Sequence, residues 1–326
     1  MHEIRVHKLL QHQNIVAFET YFEDEENIYI LLELCKGQTV FELLDKRKTL
    51  VELEVRYYLS QLISGVKYLH DKRIIHRDLK PNNIFLNDNN QIKIGDFGIA
   101  TKIEFRGQRK RTICGTPCYT APEVMYGRGG HSYEVDIWSL GIIIYNMLVG
   151  KLPFKPYELR TNDEEVVVDI CNFPLDCTVS SEAKELVSKM LDPYPEDRPT
   201  LNEIMEHPFM TDNGNIPAAL PASALATKPS KSFLALASLT KEEQEELKAE
   251  KTERTLKINF RFLQKIYLND ESMRRVIEAG RELLRDRVWI KQWIKHSDCL
   301  GYLLTTGAIG VHFKGETKML SNYKTK

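Results

Sequence analysis

The chain has 326 residues, 42% of them hydrophobic, with 45 basic side chains against 46 acidic ones. That length exceeds one ordinary domain of roughly 100–200 residues and suggests two, while the near-zero net charge excludes a basic nucleic-acid-binding surface spread over the whole molecule. The start Met1-His2-Glu3-Ile4-Arg5 is no apolar leader, and the run Leu140–Val149 is too short to cross a bilayer and contains Asn146; a soluble intracellular protein with no membrane or nucleic-acid partner is expected.

Residues 1–12 read as a helix with Ile4, Leu9 and Leu10 on one side. Val16–Phe22 and Asn27–Leu34 then alternate around the acidic turn Glu23–Glu26, which predicts a hairpin. From Val51 to His70 the apolar positions Val55, Tyr58, Leu59, Leu62, Val66 and Leu69 recur at helical spacing, a long buried helix in front of the segment IIHRDLKPNNIFL, Ile74 to Leu86. Ile84–Leu86 and Ile92–Ile94 flank the turn Asn87–Asn90 as a second hairpin. The six cysteines are scattered and read as reduced thiols, and Cys114 with Cys118 lacks the second Cys/His pair that a zinc site needs. Ile137–Leu148 is almost wholly apolar and therefore a central helix, and Ser180–Leu191 is a further one. Residues 211–240, with Pro217, Pro221 and Pro229 among Ala and Ser, have the composition of a linker too poor in apolar surface to order itself, so a domain boundary is expected there. Glu242–Arg254 is nearly all charged, a solvated helix or disorder, whereas Leu256, Phe260, Leu263, Tyr267, Met273, Val276 and Ile277 form a helical stripe that must pack on something. Val288–Ile294, Gly301–Thr305, Ala308–Phe313 and Lys318–Leu320 read as short strands.

Three motifs occur in order: His76-Arg77-Asp78-Leu79-Lys80-Pro81-Asn82-Asn83, Asp96-Phe97-Gly98 and Ala121-Pro122-Glu123. Any one alone arises by chance in ordinary turns; three in sequence, each on the expected strand or loop, do not. Residues 1–210 thus resemble the protein kinase family. Phosphoryl transfer leaves the protein to align a hydroxyl with the γ-phosphate of ATP and to neutralise charge. The resemblance implies Asp78 as acceptor of the substrate hydroxyl proton, Lys80 against the γ-phosphate, and Asn83 and Asp96, converging from the two ends of the short hairpin, as oxygen ligands of Mg²⁺. Lys80 and Gly115-Thr116 resemble the serine/threonine branch, so Ser or Thr side chains of proteins are the expected substrates. By the same resemblance Glu33 and Cys35 match the hinge that binds adenine, Asp136 the anchor of the catalytic loop, and Arg198 the partner of Glu123. Phe85 matches the floor beneath the adenine and equally fits a core position. The basic run Arg106–Thr112 ends on Thr112, the usual activation-loop phosphosite; a phosphate there adds about 1.5–2 negative charges facing Arg77 and implies an upstream activating kinase that favours basic substrates. A solvated basic loop with an unmodified threonine is the alternative.

Glu3 matches the helix glutamate that pairs with a strand lysine, yet only Met1 and His2 precede it, and no G-x-G-x-x-G occurs in the chain. Removing one preorganised electrostatic group costs ~10²–10³ in rate, so weak activity or none is expected of these residues alone, with Met1 an internal methionine of a longer kinase. A catalytically impaired fragment or scaffold acting through protein–protein contacts is the alternative. The hinge Leu32–Cys35, the stretch Cys114–Val124 and above all Val288–Phe313 resemble polo-like kinases. That resemblance implies a cell-cycle kinase of cytoplasm and nucleus, at the centrosome or spindle pole. It also implies capping helices over 241–287 and a partial first polo box over 288–326, about three strands long, in which Trp289 matches the tryptophan that packs against a bound phosphopeptide. Phosphopeptide docking is expected only with the full polo-box region. The expected fold class is α+β: a kinase-like fold with an incomplete small lobe and a complete, mainly helical large lobe, then a linker, a helix and a partial antiparallel β polo box.

Overall fold

The computed structural model describes residues 1–127, 129–154, 160–162, 165–167, 173–174, 177–211, 216–237, 290–296, 299–304, 309–313 and 316–320. The first helix, α1 (His2–His7), is shorter than the pattern over residues 1–12 suggests. It closes because Leu9 N–H and Leu10 N–H turn back to Val6 O and His7 O (3.2 and 2.9 Å), a tight turn that buries Leu10 and leaves Leu9 63% exposed. Strands β1 (Phe18–Glu23) and β2 (Ile28–Leu32) pair antiparallel as expected. Their turn is set by Asp24, whose carboxylate accepts the N–H groups of Glu26 and Asn27 (2.8 and 2.7 Å), the local bonding that makes Asp a turn residue.

Helix α2 (Val40–Arg47) starts on a capping box between Thr39 and Glu42. Helix α3 (Glu52–Asp71) has Val55, Leu59, Leu62, Val66 and Leu69 fully buried, the face its periodicity predicts. Each such side chain contributes roughly 1.5–3 kcal/mol of hydrophobic stabilisation. Four short strands follow: β3 (Ile74–Ile75), β4 (Ile84–Leu86), β5 (Ile92–Ile94) and β6 (Thr101–Lys102), with β3 paired to β6 and β4 to β5. After α4 (Pro122–Met125) comes α5 (Glu134–Val149), buried on nearly every side. It ends on Gly150, whose φ of 78° is the left-handed conformation glycine supplies at helix ends. At Gly141 a side chain is excluded: a Cβ there would lie 2.8 Å from Leu191 Cδ2, which lets the following helical layer close onto α5. A short hairpin, β7 (Arg160–Asn162) with β8 (Glu165–Val167), has no counterpart in the sequence reading. Then come α6 (Ser181–Met190), α7 (Leu201–Glu206), α8 (Pro208–Thr211) and α9 (Lys231–Ala237).

The stretch read as an unordered linker is a correction. Residues 216–237 lie on the first unit, with Leu220, Ala224 and Ala237 buried. Asn90 donates to Pro221 O (3.1 Å), Gln38 to Leu225 O (3.4 Å), and Arg47 to Ala224 O. Arg47 is itself buried in an ion pair with Glu54 (2.8 Å). Alanine and proline lose almost no side-chain entropy on ordering, so a few carbonyls offered to buried donors hold what bulk hydrophobicity alone would not.

The chain divides into two compact units, residues Met1–Thr240 and Lys241–Lys326. In the second, β9 (Ile290–His296), β10 (Cys299–Leu304), β11 (Ile309–Phe313) and β12 (Glu316–Leu320) form an antiparallel meander in chain order. Four short strands are expected here from the sequence, and four form among the described residues. The expected helices over 241–287 and Trp289 lie outside the described residues. Among the described residues no helix is long and apolar enough to cross a membrane.

Candidate active site

The site is built outward from one buried carboxylate at the start of α5. Asp136 has no exposed surface, and it accepts the backbone N–H groups of His76 and Arg77 (both 3.0 Å) and His70 Nε2–H from α3 (2.8 Å). Burial alone pushes this carboxyl up; the hydrogen bond and charge of His70, with His76 and the Arg77 N–H, outweigh it and hold it below the ordinary carboxylate value. The loop after β3 is thereby fixed, with Arg77 at φ 67°. His76 donates from Nε2 to Gly95 O (3.0 Å) and accepts Asp78 N–H at Nδ1 (3.3 Å), so its ring proton sits on Nε2. Phe97, fully buried, lies between the rings of His76 and His7 at centroid distances of 5.2 and 4.6 Å.

Three predicted residues meet on Asp78. Oδ1 accepts Thr116 N–H (3.0 Å) and Thr116 Oγ1–H (2.7 Å). Oδ2 accepts Lys80 Nζ (2.7 Å) and Asn83 Nδ2 (3.2 Å), and Lys80 also reaches Thr116 Oγ1 (2.9 Å). Asn83 further donates to Asp78 O (3.0 Å), so its amide oxygen points the other way and takes no hydrogen bond from the described residues. Asp96 is exposed, with φ 61°, and one of its oxygens accepts Gly98 N–H (3.2 Å). An amide oxygen and a carboxylate are the hard donors Mg²⁺ prefers, so the residues fit that ion as two of its ligands. No cluster of three or more His, Cys, Asp or Glu able to hold a metal occurs among the described residues.

The remaining predicted positions lie around this centre. Arg77 donates from two nitrogens to Ile99 O (2.9 and 2.6 Å). Thr112 is exposed. Glu3 lies beside the Asp96-Phe97-Gly98 turn: a Cβ on Gly98 would be 3.9 Å from Glu3 Oε2. Glu33 is held by Lys93 (2.8 Å) and Ala17 N–H (3.0 Å), and its own N–H donates to Ala17 O (2.9 Å), which leaves its main-chain carbonyl for a nucleotide. Cys35 is half-buried, and burial, then Glu33, pushes its thiol up. Phe85 is half-buried, and its ring comes within 2.9 Å of where a Gly95 Cβ would stand, a contact between the two strands flanking Asn83 and Asp96. Glu123 and Arg198 form a buried bidentate pair (2.7 and 2.8 Å), the guanidinium lying 5.0 Å over the Trp138 ring. Sequence reasoning missed His70 and Lys93. Each pairs with an acid that was singled out, and only the fold brings them together.

Residues 1–210 match the family model for the protein kinase domain. Similar proteins include a probable serine/threonine-protein kinase CCRP1 of Zea mays, 54% identical over 71% of this chain and 37% of that protein. The serine/threonine-protein kinase polo of Drosophila melanogaster is 48% identical over 70% of this chain and 39% of its own length. The serine/threonine-protein kinase PLK1 of Xenopus laevis is 37% identical over 98% of this chain and 58% of that protein. The chain thus spans between about two fifths and three fifths of the length of these relatives.

Proposed function

The chain belongs to the protein kinase family, and from that premise we propose that its first unit transfers the γ-phosphate of ATP to serine or threonine hydroxyls of proteins, as a polo-like, cell-cycle kinase. The observation that carries this reading is the Asp78 carboxylate, oriented at both oxygens by Thr116, Lys80 and Asn83. A substrate hydroxyl brought against it gives up its proton to an acceptor that needs no reorganisation. Lys80, within reach of Asp78 and Thr116, offers its ammonium to the γ-phosphate. Asn83 and Asp96 would hold Mg²⁺, which would supply charge neutralisation at the phosphates. Adenine lies against the main chain of Glu33 and Cys35 and over Phe85.

The serine/threonine preference rests on Lys80 and Thr116 and on the names of the similar proteins. The same likeness supports residues 1–210 as the kinase domain, 211–240 as its extension, 241–287 as capping helices, and 288–326 as part of a first polo box with Trp289 facing a phosphopeptide. Activation by an upstream kinase at Thr112, and work in cytoplasm and nucleus at the centrosome or spindle pole, complete the proposal. The test is transfer of labelled phosphate from ATP to a mixed protein substrate, followed by phosphoamino-acid analysis. Label in phosphoserine and phosphothreonine that requires Mg²⁺ supports the reading; label in phosphotyrosine, or label that forms without Mg²⁺, contradicts it.

A further inference from the structure

The basic run before Thr112 is tied down at Arg109 and Lys110. Lys110 and His131 exchange both backbone hydrogen bonds, each at 2.8 Å, as an isolated antiparallel bridge. Beside it Arg109 donates from Nε to Gly130 O (2.9 Å) and pairs with Glu134, which also accepts Ser132 N–H (3.1 Å) at the first turn of α5. Gly130, at φ 76°, is the residue that lets the strands meet: a Cβ there would stand 2.6 Å from Lys110 O. Two residues later Arg111, Thr112 and Ile113 are exposed, Ile113 by 66%. The chain is caught again at Gly115, where a Cβ would lie 2.8 Å from Arg77 O, and at Thr116 on Asp78.

His131 is 1% exposed, and its imidazole sits in the field of Arg77, Glu123, Glu134 and Arg109; burial, then Arg77, lowers its pKa. Arg77 is the residue whose N–H is fixed by Asp136 and whose carbonyl Gly115 approaches. We propose that the clip of Arg109 and Lys110 on Gly130, His131 and Glu134 is a positioning device: it seats the loop around Thr112 and, through the short span Arg111–Gly115, keeps Thr116 on the Asp78 carboxylate. A five-residue span between two fixed ends leaves the chain little freedom to lift Thr116 while the clip is closed. The inference rests on Asp78 being the proton acceptor argued above, but its readout does not pass through catalysis.

The test is amide hydrogen exchange at residue resolution on the full chain, in wild type, Gly130→Ala and Arg109→Gln. In wild type the amides of Lys110, His131 and Thr116 exchange at least ~10-fold more slowly than those of Arg111 and Thr112. Both variants speed exchange at all three positions while the amides of Ile142–Tyr145 keep wild-type protection, which shows that α5 and the fold around it survive. A merely local clip releases Lys110 and His131 and leaves Thr116 unchanged. That result overturns the proposal, as does wild-type exchange at Lys110 as fast as at Thr112. If Gly130→Ala also exposes Ile142–Tyr145, the Arg109→Gln result decides by the same criterion. Failure here leaves phosphate transfer by Asp78 standing, and failure of transfer leaves the exchange result standing.

Discussion

Asp136 shows what a single residue is asked to do in this molecule: with no exposed surface it satisfies three donors at once, two of them the backbone of the catalytic loop. Asn in its place offers one acceptor to those donors, and leaving buried donors unpaired costs about 3 kcal/mol; Asp136→Asn is expected to lower the urea midpoint accordingly. Because the folded-state pKa is depressed below 3.8, the wild-type contribution is present above that value and is lost as pH falls below it. The acid limb of the stability curve should therefore flatten in the variant, and an unchanged limb would count against the account. Glu123 is the second such residue. Glu123→Gln leaves the Arg198 guanidinium, with none of its side chain exposed, without its charge partner, and denaturant unfolding should show a loss of about 3–5 kcal/mol. Glu123 was legible from its motif, and Asp136 and Arg198 from the resemblance to the kinase family. Their partners were not: His70 stands 66 residues from Asp136 in the chain, and Lys93 60 from Glu33, distances that no local pattern spans.

Among the elements, α3 and α5 were legible because their apolar positions are many and regularly spaced, and tertiary packing then had one face, or every face, to bury. α1 was overread: Leu9 and Leu10 continue the apolar count, but the turn onto His7 ends the helix before them. The segment after α8 was underread for the opposite reason. Its order comes from backbone carbonyls meeting Asn90, Gln38 and Arg47, and carbonyls have no sequence signature. This gives a direct check. Ala224 is fully buried under Arg47, so Ala224→Arg should depress the thermal midpoint of the first unit by several degrees, the response to a loss of ~1–3 kcal/mol from overpacking. A linker that merely tethers two units would give no shift.

At the scale of the whole molecule, stability follows pH through buried and half-buried histidines. Burial lowers the pKa of His7, His12 and His131 below 6.5, with Lys93 adding to the effect at His12 and Arg77 at His131. Unfolding therefore takes up protons as pH drops beneath 6.5, so this stabilisation is present above that value and is lost below it. The urea midpoint should fall steadily between pH 7.5 and about 5, and a flat profile would contradict the assignment. The central claim is that these buried anchors exist to hold one carboxylate ready, and the most direct measurement is single-turnover phosphate transfer from ATP by the wild-type chain and by Asp78→Asn, both checked for equal thermal midpoints. We predict slow transfer that is at least ~10²-fold slower still in the variant. Transfer at equal rates in both proteins would contradict it.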